Sequence, residues 1–180
     1  YADYEVGSKA HDWRTEPYQK KISTKPMIIL DILKLKYNVL MVDVDIYFFA
    51  NPLPHMDMNN KELLIQRNRN KGPKSEINSG FLYVRSTKNA LELYSLIVET
   101  IHKGTLSDQD ILNEYLKQSN ITVDRLNFIK FCNGLSHFVK LSGAFHPQSA
   151  DAKNCIIAHY NFMIGYQQKV YRMKVSGHWQ

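Results

Sequence analysis

A four-residue apolar run ending in two spaced acids, Val39-Leu40-Met41-Val42-Asp43-Val44-Asp45, constrains this chain more than any other stretch. The run is rich in β-formers and lacks polar alternation. It predicts a central strand covered on both faces in a parallel or mixed α/β sheet. In extended backbone, residues i and i+2 point to the same side, so Asp43 and Asp45 are expected to project together. Two carboxylates so placed repel each other and are costly to desolvate unless something positive lies between them. A hard divalent cation meets that need, because Mg²⁺ and Mn²⁺ prefer oxygen ligands and usually share them with a phosphate. The position agrees, since open α/β sheets bind ligands beyond the carboxyl ends of their strands. The plainer alternative, one Asp capping a turn and the other solvated, is equally compatible with the motif alone.

Around this strand the chain reads as one domain, 1–180, of alternating helices and strands, hence α/β. With 180 residues, 44% hydrophobic and 22% charged, it can bury a core and is not collagen-like, low-complexity or disordered. No apolar run approaches the roughly 20 residues of a membrane-spanning helix. The N-terminal YADYEVGSKAHDWRTEPYQKK has no apolar core, so no signal peptide is expected, and residues 1–21 show no clear period. From Ser23, Pro26 and the apolar Met27, Leu30, Ile32, Leu33 and Leu35 predict a helix. Residues 62–68 and 77–85 read as strands, flanking a basic Gly-Pro loop. Thr87 is the expected cap of a helix with Leu91, Tyr94, Val98 and Ile101 on one face. Another helix opens at Ser107, with Ile111, Leu112, Tyr115 and Leu116 inward. Short strands are expected over 122–126 and 154–158, and the tail after His159 as an ordered loop.

Several polar residues fall where chemistry could use them. His159 ends the apolar Cys155-Ile156-Ile157-Ala158 run, and imidazole is an acceptable Mn²⁺ ligand. Gly165 and Lys169 follow, a glycine permitting close backbone approach and a cation suited to gripping a diphosphate. Asn78-Ser79-Gly80 lies in a strand, where a glycine suggests a bulge or a closely approaching ligand, and Asn78 could bond sugar hydroxyls. Ser107 with Asp110 resembles a capping box, which leaves Asp108 and Gln109 free to face a cleft. Each has a bland reading taken singly: a structural His, a surface Lys, a strand-start turn, a helix cap.

Taken in order, VLMVDVDIYFFANPLP, INSGFLYVRST, SDQDILNEYL and the His-Tyr-Asn…Gly…Lys…Gly-His-Trp tail resemble the nucleotide-diphospho-sugar transferases of glycosyltransferase family 77. The chain is similar, more distantly, to the glycogenin-like family 8. The resemblance runs from about Thr24 to Trp179. It implies a GT-A fold, a mixed sheet flanked by helices, a UDP-sugar donor, Mn²⁺ with Mg²⁺ as substitute, and transfer with retention to a glycan or glycoprotein hydroxyl. By position it implies Asp43, Asp45 and His159 as metal ligands, with Asp43 also on the donor ribose. Lys25, Asn78, Ser79, Gly165 and Lys169 would contact the donor, and Asp108 and Gln109 would lie near the anomeric centre. Attack from the leaving-group face, or a double displacement with Asp108 as nucleophile, would each give retention. Members of the family normally carry a further βα unit before the DxD strand, so the 42 residues preceding Asp43 suggest that this first unit is lacking.

Two other classes remain to be separated. Haloacid-dehalogenase-like phosphatases also use D-x-D after an apolar strand, with Asp43 as nucleophile, Asp45 as acid/base and Asp108/Asp110 downstream. A non-catalytic basic module would bind phosphates or acidic glycans through Arg67, Arg69, Lys71 and Lys74. The net charge, +6, suits phosphate-bearing ligands without separating nucleotide from nucleic acid or an acidic surface; with the family resemblance, nucleic acid is not expected as a partner. The family resemblance implies a Golgi-lumenal type II membrane protein whose anchor is absent from this chain. The Asn120-Ile121-Thr122 sequon fits that compartment, as would a bridge between Cys132 and Cys155, which could equally be two buried thiols.

Overall fold

The apolar run forms strand β1 (Val39–Val42), antiparallel to β4 (Ile77–Val84). Beyond β4 lie β3 (Leu63–Arg67), antiparallel to it, and β5 (Val123–Arg125), parallel to β3. The computed structural model describes residues 15–69, 76–101, 106–141, 144–147 and 154–179. Among these, the mixed sheet has the order β1-β4-β3-β5, which puts β1 at an edge rather than at the centre. Leu40 is accordingly 38% exposed, whereas Leu63, Leu64 and Ile65 of β3 are inaccessible to solvent. Short apolar runs look alike in sequence, and only pairing partners separate edge from centre.

Period-2 alternation divides the core between the two faces of this sheet. Leu63, Ile65, Leu82 and Val84 pack on one face against α2 (Thr24–Lys34), α3 (Lys88–Ile101) and α4 (Asp108–Tyr115). Ile29, Leu30 and Leu33 come from α2, Leu93, Tyr94 and Ile97 from α3, and Ile111 and Leu112 from α4. Each such side chain contributes roughly 1.5–3 kcal/mol by leaving water. The buried stripe of α3 is Ala90, Leu93, Tyr94, Ile97 and Ile101, rotated from the expected one, with Leu91 and Val98 only partly buried. Thr87 caps it as expected, accepting from Ala90 N at 3.3 Å. A further helix, α1 (Glu16–Ile22), forms where no period was legible, with Pro17 in the first turn, where a missing N–H costs nothing.

On the other face, Leu64 and Phe81 pack against a second sheet of β2 (Ile46–Phe48), β9 (Ile157–His159) and β6 (Phe131–Cys132), ordered β2-β9-β6. β2 runs antiparallel and β6 parallel to β9. Cys132 in β6 is bridged to Cys155, just before β9, which settles the cysteines as a disulfide. A short helix, α5 (Gly134–His137), leads into the hairpin of β7 (Phe138–Leu141) and β8 (Ala144–Pro147). The tail is a helix, α6 (Tyr166–Val175), not the loop expected. Only Met173 of α6 is buried, so its sequence carries no apolar stripe. No described helix is long and apolar enough to cross a membrane.

Candidate active site

Asp43 and Asp45 lie in the turn where the chain leaves the first sheet for the second, not in extended strand. Val44 between them is fully exposed at the tip. The main chain fixes both acids. Asp43 N donates to Gly80 O of β4 at 2.7 Å, and Tyr160 N, just after β9, donates to Asp45 O at 2.9 Å. The carboxylates still converge, as the sequence implied, but a turn held between two sheets brings them together.

His159 at the end of β9 completes the group. Its Nε2 is 3.2 Å from Asp45 Oδ1 and 3.9 Å from Asp43 Oδ2. One ligand atom from each of Asp43, Asp45 and His159 lies within 4.8 Å of the others. Two carboxylate oxygens and one imidazole nitrogen suit Mn²⁺ or Mg²⁺. Behind the ring, Gln66 Oε1 lies 2.8 Å from His159 Nδ1. Gln66 Nε2 is spent on the carbonyls of Phe131 and Cys132, at 3.1 and 2.9 Å. Its oxygen can therefore only accept, so Nδ1 of His159 carries a proton. Nε2 then either bears a second proton or turns a lone pair toward two acids. A cation is the species that satisfies the second case, so the residues fit a divalent metal.

Glycine at position 80 is a requirement of this packing. A Cβ there would overlap His159 Cε1 and come within 2.7 Å of Asp43 Oδ2. The glycine expected to mark a bulge or a closely approaching ligand lies where the β3–β4 register shifts, and it is approached by two side chains, His159 and Asp43.

Helix α6 brings Lys169 to the site, where its Nζ donates to Asp45 Oδ2 at 2.6 Å. Gly165 opens the helix with φ 90° and ψ 145°, a conformation other residues rarely adopt. Burial alone pushes the Asp45 carboxyl up, but hydrogen bonds and charge from His159 and Lys169 outweigh it and hold the carboxyl well below the usual range. Asp45 is therefore an anion at any physiological pH.

Lys25 in α2 bridges the two acidic motifs, 2.9 Å from Asp43 Oδ1 and 3.4 Å from Asp108 Oδ2. Burial lowers its affinity for a proton, yet Asp108 and Asp43 more than reverse this, so the ammonium is held above its ordinary range. Asp108 stands at the start of α4, positioned as the capping box implied. Asp110 N donates to Ser107 Oγ at 3.1 Å, and Ser107 Oγ donates back to Asp110 Oδ2 at 2.7 Å. Gln109 Oε1 accepts from Asn78 Nδ2 at 3.0 Å and from Ser79 N at 3.2 Å. Asn78 Oδ1 in turn accepts from Gly80 N at 2.9 Å. One contiguous group therefore runs from Lys169 through Asp45, His159, Asp43, Lys25 and Asp108, with Gln109, Asn78 and Ser79 alongside.

Two residues at this site were not foreseen. Gln66 is a buried amide inside an apolar strand, and that mismatch was its only signal. Tyr18 of α1 is drawn in electrostatically: burial, and then Asp108, raise its hydroxyl above the ordinary value. The phosphatase alternative loses its downstream pair, because Asp110 is exposed and turned onto Ser107. In the basic-module alternative, Arg67 Nη2 donates to Arg125 O at 3.3 Å, Arg69 is exposed, and Lys71 and Lys74 lie outside the described residues. A second group of ligand-type side chains, Cys132, His137 and Cys155, is closed by the disulfide.

A solved structure of a glycosyltransferase involved in the glycosylation of the major capsid of PBCV-1 shares this fold. It has a TM-score of 0.60 and 15% identity over 90% of this chain and 81% of that one. The architecture is the GT-A α/β fold that the motifs implied. In sequence the chain is 27% identical over 202 residues to the beta-arabinofuranosyltransferase RAY1 of Arabidopsis thaliana, covering 100% of this chain and 36% of that protein. It is 24% identical over 187 residues to the UDP-galactose:fucoside alpha-3-galactosyltransferase of Dictyostelium discoideum, covering 86% of this chain and 27% of that protein. The chain thus spans about a third of the length of these relatives or less. Over residues 2–173 it matches the profile described as nucleotide-diphospho-sugar transferase, and it belongs to that family.

Proposed function

We propose that this chain forms the donor-binding and catalytic part of a metal-dependent glycosyltransferase. It moves a sugar from a UDP-sugar to a glycan or glycoprotein hydroxyl, with retention at the anomeric carbon. The observation that carries the reading is the meeting of Asp43, Asp45 and His159, flanked by Lys169 on one side and Lys25 on the other. Asp43, Asp45 and His159 would hold Mn²⁺, or Mg²⁺ in its place. Bound there, the cation supplies Lewis-acid neutralisation of charge on a leaving diphosphate.

The chain's own residues supply the rest. Lys169, at the end of a long side chain, offers its ammonium to the diphosphate and stabilises the charge that develops as UDP departs. Gly165 lets the backbone approach the same phosphates without a Cβ in the way. Asp43 shares its carboxylate with the donor ribose. Lys25 holds Asp108 and Asp43 at a fixed spacing, so the sugar side and the phosphate side of the site keep register. Gln109, pinned by Asn78 and Ser79, lines the anomeric centre with Asp108. The protein's relatives named above act on an arabinofuranosyl group and on UDP-galactose, so a pentose and a hexose are the donors to test first. The formed disulfide and the exposed Asn120 fit a lumenal compartment, and we place the protein in the Golgi lumen as part of a membrane-anchored chain.

A donor-hydrolysis screen tests this reading. The chain is incubated with Mn²⁺ and UDP-galactose, UDP-xylose or UDP-arabinose, and released UDP and free sugar are followed by NMR. Release of UDP from one donor, with the sugar freed in its original anomeric configuration and loss of the activity in Asp45→Ala, is expected. Release that is absent for all donors, or unchanged in Asp45→Ala, overturns it.

A further inference from the structure

Gln66 is inaccessible to solvent, in a strand whose neighbours Leu63, Leu64 and Ile65 are all apolar. An apolar side chain would suit that environment better, since a buried amide must recover the hydrogen bonds it loses on leaving water. It recovers three. Nε2 donates to Phe131 O and Cys132 O, and Oε1 meets His159 Nδ1. The side chain therefore spans from β3 to both parallel strands of the second sheet, β6 and β9. It also lies where the β3–β4 register shifts, between Ile65 and Gln66.

We propose that Gln66 is a positioning residue: its carboxamide fixes the tautomer and tilt of His159 so that Nε2 is presented to Asp43 and Asp45 as a metal ligand. The orientation of the amide is not ambiguous. Backbone carbonyls only accept, so the nitrogen must face Phe131 and Cys132 and the oxygen must face His159. With Nδ1 bound as a donor, the neutral ring has its lone pair on Nε2, on the side of the two carboxylates. A flipped ring would aim a C–H at the cation and the other tautomer an N–H, and in either state the ring would cease to be a ligand. Outer partners of this kind are typically worth about 10–100-fold in metal affinity. The inference rests on the metal reading of the proposed function and names the residue that prepares it.

The experiment compares the full chain with Gln66→Leu and Gln66→Glu. Long-range ¹⁵N–¹H spectra of the histidine rings report the tautomer without metal, under mildly alkaline conditions, and Mn²⁺ titration reports affinity. Wild type is expected to show His159 as the Nδ1–H tautomer. In Gln66→Leu that preference is lost and Mn²⁺ binds about 10–100-fold more weakly. Gln66→Glu, which still accepts from Nδ1, keeps the tautomer and most of the affinity while melting earlier, because it cannot donate to the two carbonyls. Wild-type His159 in the Nε2–H tautomer overturns the proposal even if Gln66→Leu does not fold. Wild-type Mn²⁺ binding matched by a folded Gln66→Leu overturns the role of Gln66 alone. Wild type that binds no Mn²⁺ overturns the metal reading itself.

Discussion

Lys169 and Asp45, 124 residues apart in sequence, are joined by a 2.6 Å ion pair that ties the C-terminal helix to the DxD turn. The pair places an ammonium beside an acid of the proposed metal site, within reach of a diphosphate held there. Lys169→Met should weaken UDP binding by about 10–100-fold, the value of about 1.5–3 kcal/mol for a hydrogen bond to a charged group. The melting temperature should hardly move, because partly exposed ion pairs contribute less than about 1 kcal/mol. Calorimetry with UDP and Mn²⁺, paired with thermal melts, separates the two effects.

Gly80→Ala should be more damaging than its size suggests. The added methyl overlaps His159 and presses on Asp43, so either the ring or the carboxylate must shift. A loss of about 1–3 kcal/mol in stability is expected from the overpacking. Mn²⁺ affinity should fall with it, since both displaced groups are proposed ligands. A denaturant melt and a Mn²⁺ titration on the same sample check this.

Acid should destabilise the fold from about pH 6.5 downward. His137 is buried against Phe138, with ring centroids 4.4 Å apart, and burial followed by the charge of His178 pushes it down to about 4. The unfolded chain, with an ordinary value near 6.5, binds a proton that the folded chain refuses. The stability is therefore fully present above about 6.5 and is lost as pH falls toward 4, by roughly 3 kcal/mol at most. Asp45, held low in the fold, adds its loss only below about pH 4, where free carboxylates protonate. Urea midpoints at neutral pH and at pH 5 should differ in wild type and differ less in His137→Phe.

Reduction of the Cys132–Cys155 bridge, which spans 23 positions, should cost about 3 kcal/mol by freeing the unfolded chain. It should also weaken metal binding, because Cys132 and Phe131 in β6 supply the carbonyls that anchor Gln66 behind His159. Melts and Mn²⁺ titrations with and without reductant test both effects.

Much of this site could be read from the chain because its residues sit at the ends of strongly apolar segments. Val39–Val42 and Ile156–Ala158 announced their strands, and Asp43, Asp45 and His159 followed them directly. Ser107 with Asp110 marks the start of α4 by local hydrogen bonding alone, which puts Asp108 in the first turn. The illegible parts depend on partners distant in sequence. β1 reads as a central strand but lies at an edge, because pairing and not composition decides its place. Helix α6 buries one apolar residue, so no stripe betrayed it, yet it delivers Lys169. Gln66 reaches carbonyls 65 and 66 residues away and a histidine 93 residues away, relations that no local pattern encodes.

Calorimetric titration of UDP into the chain, with and without Mn²⁺, for wild type and Asp45→Ala, tests the central claim most directly. Binding to wild type that is at least about tenfold tighter with Mn²⁺, and a loss of that gain in Asp45→Ala, is the expected result. UDP binding that is absent, or indifferent to both the metal and the substitution, would contradict it.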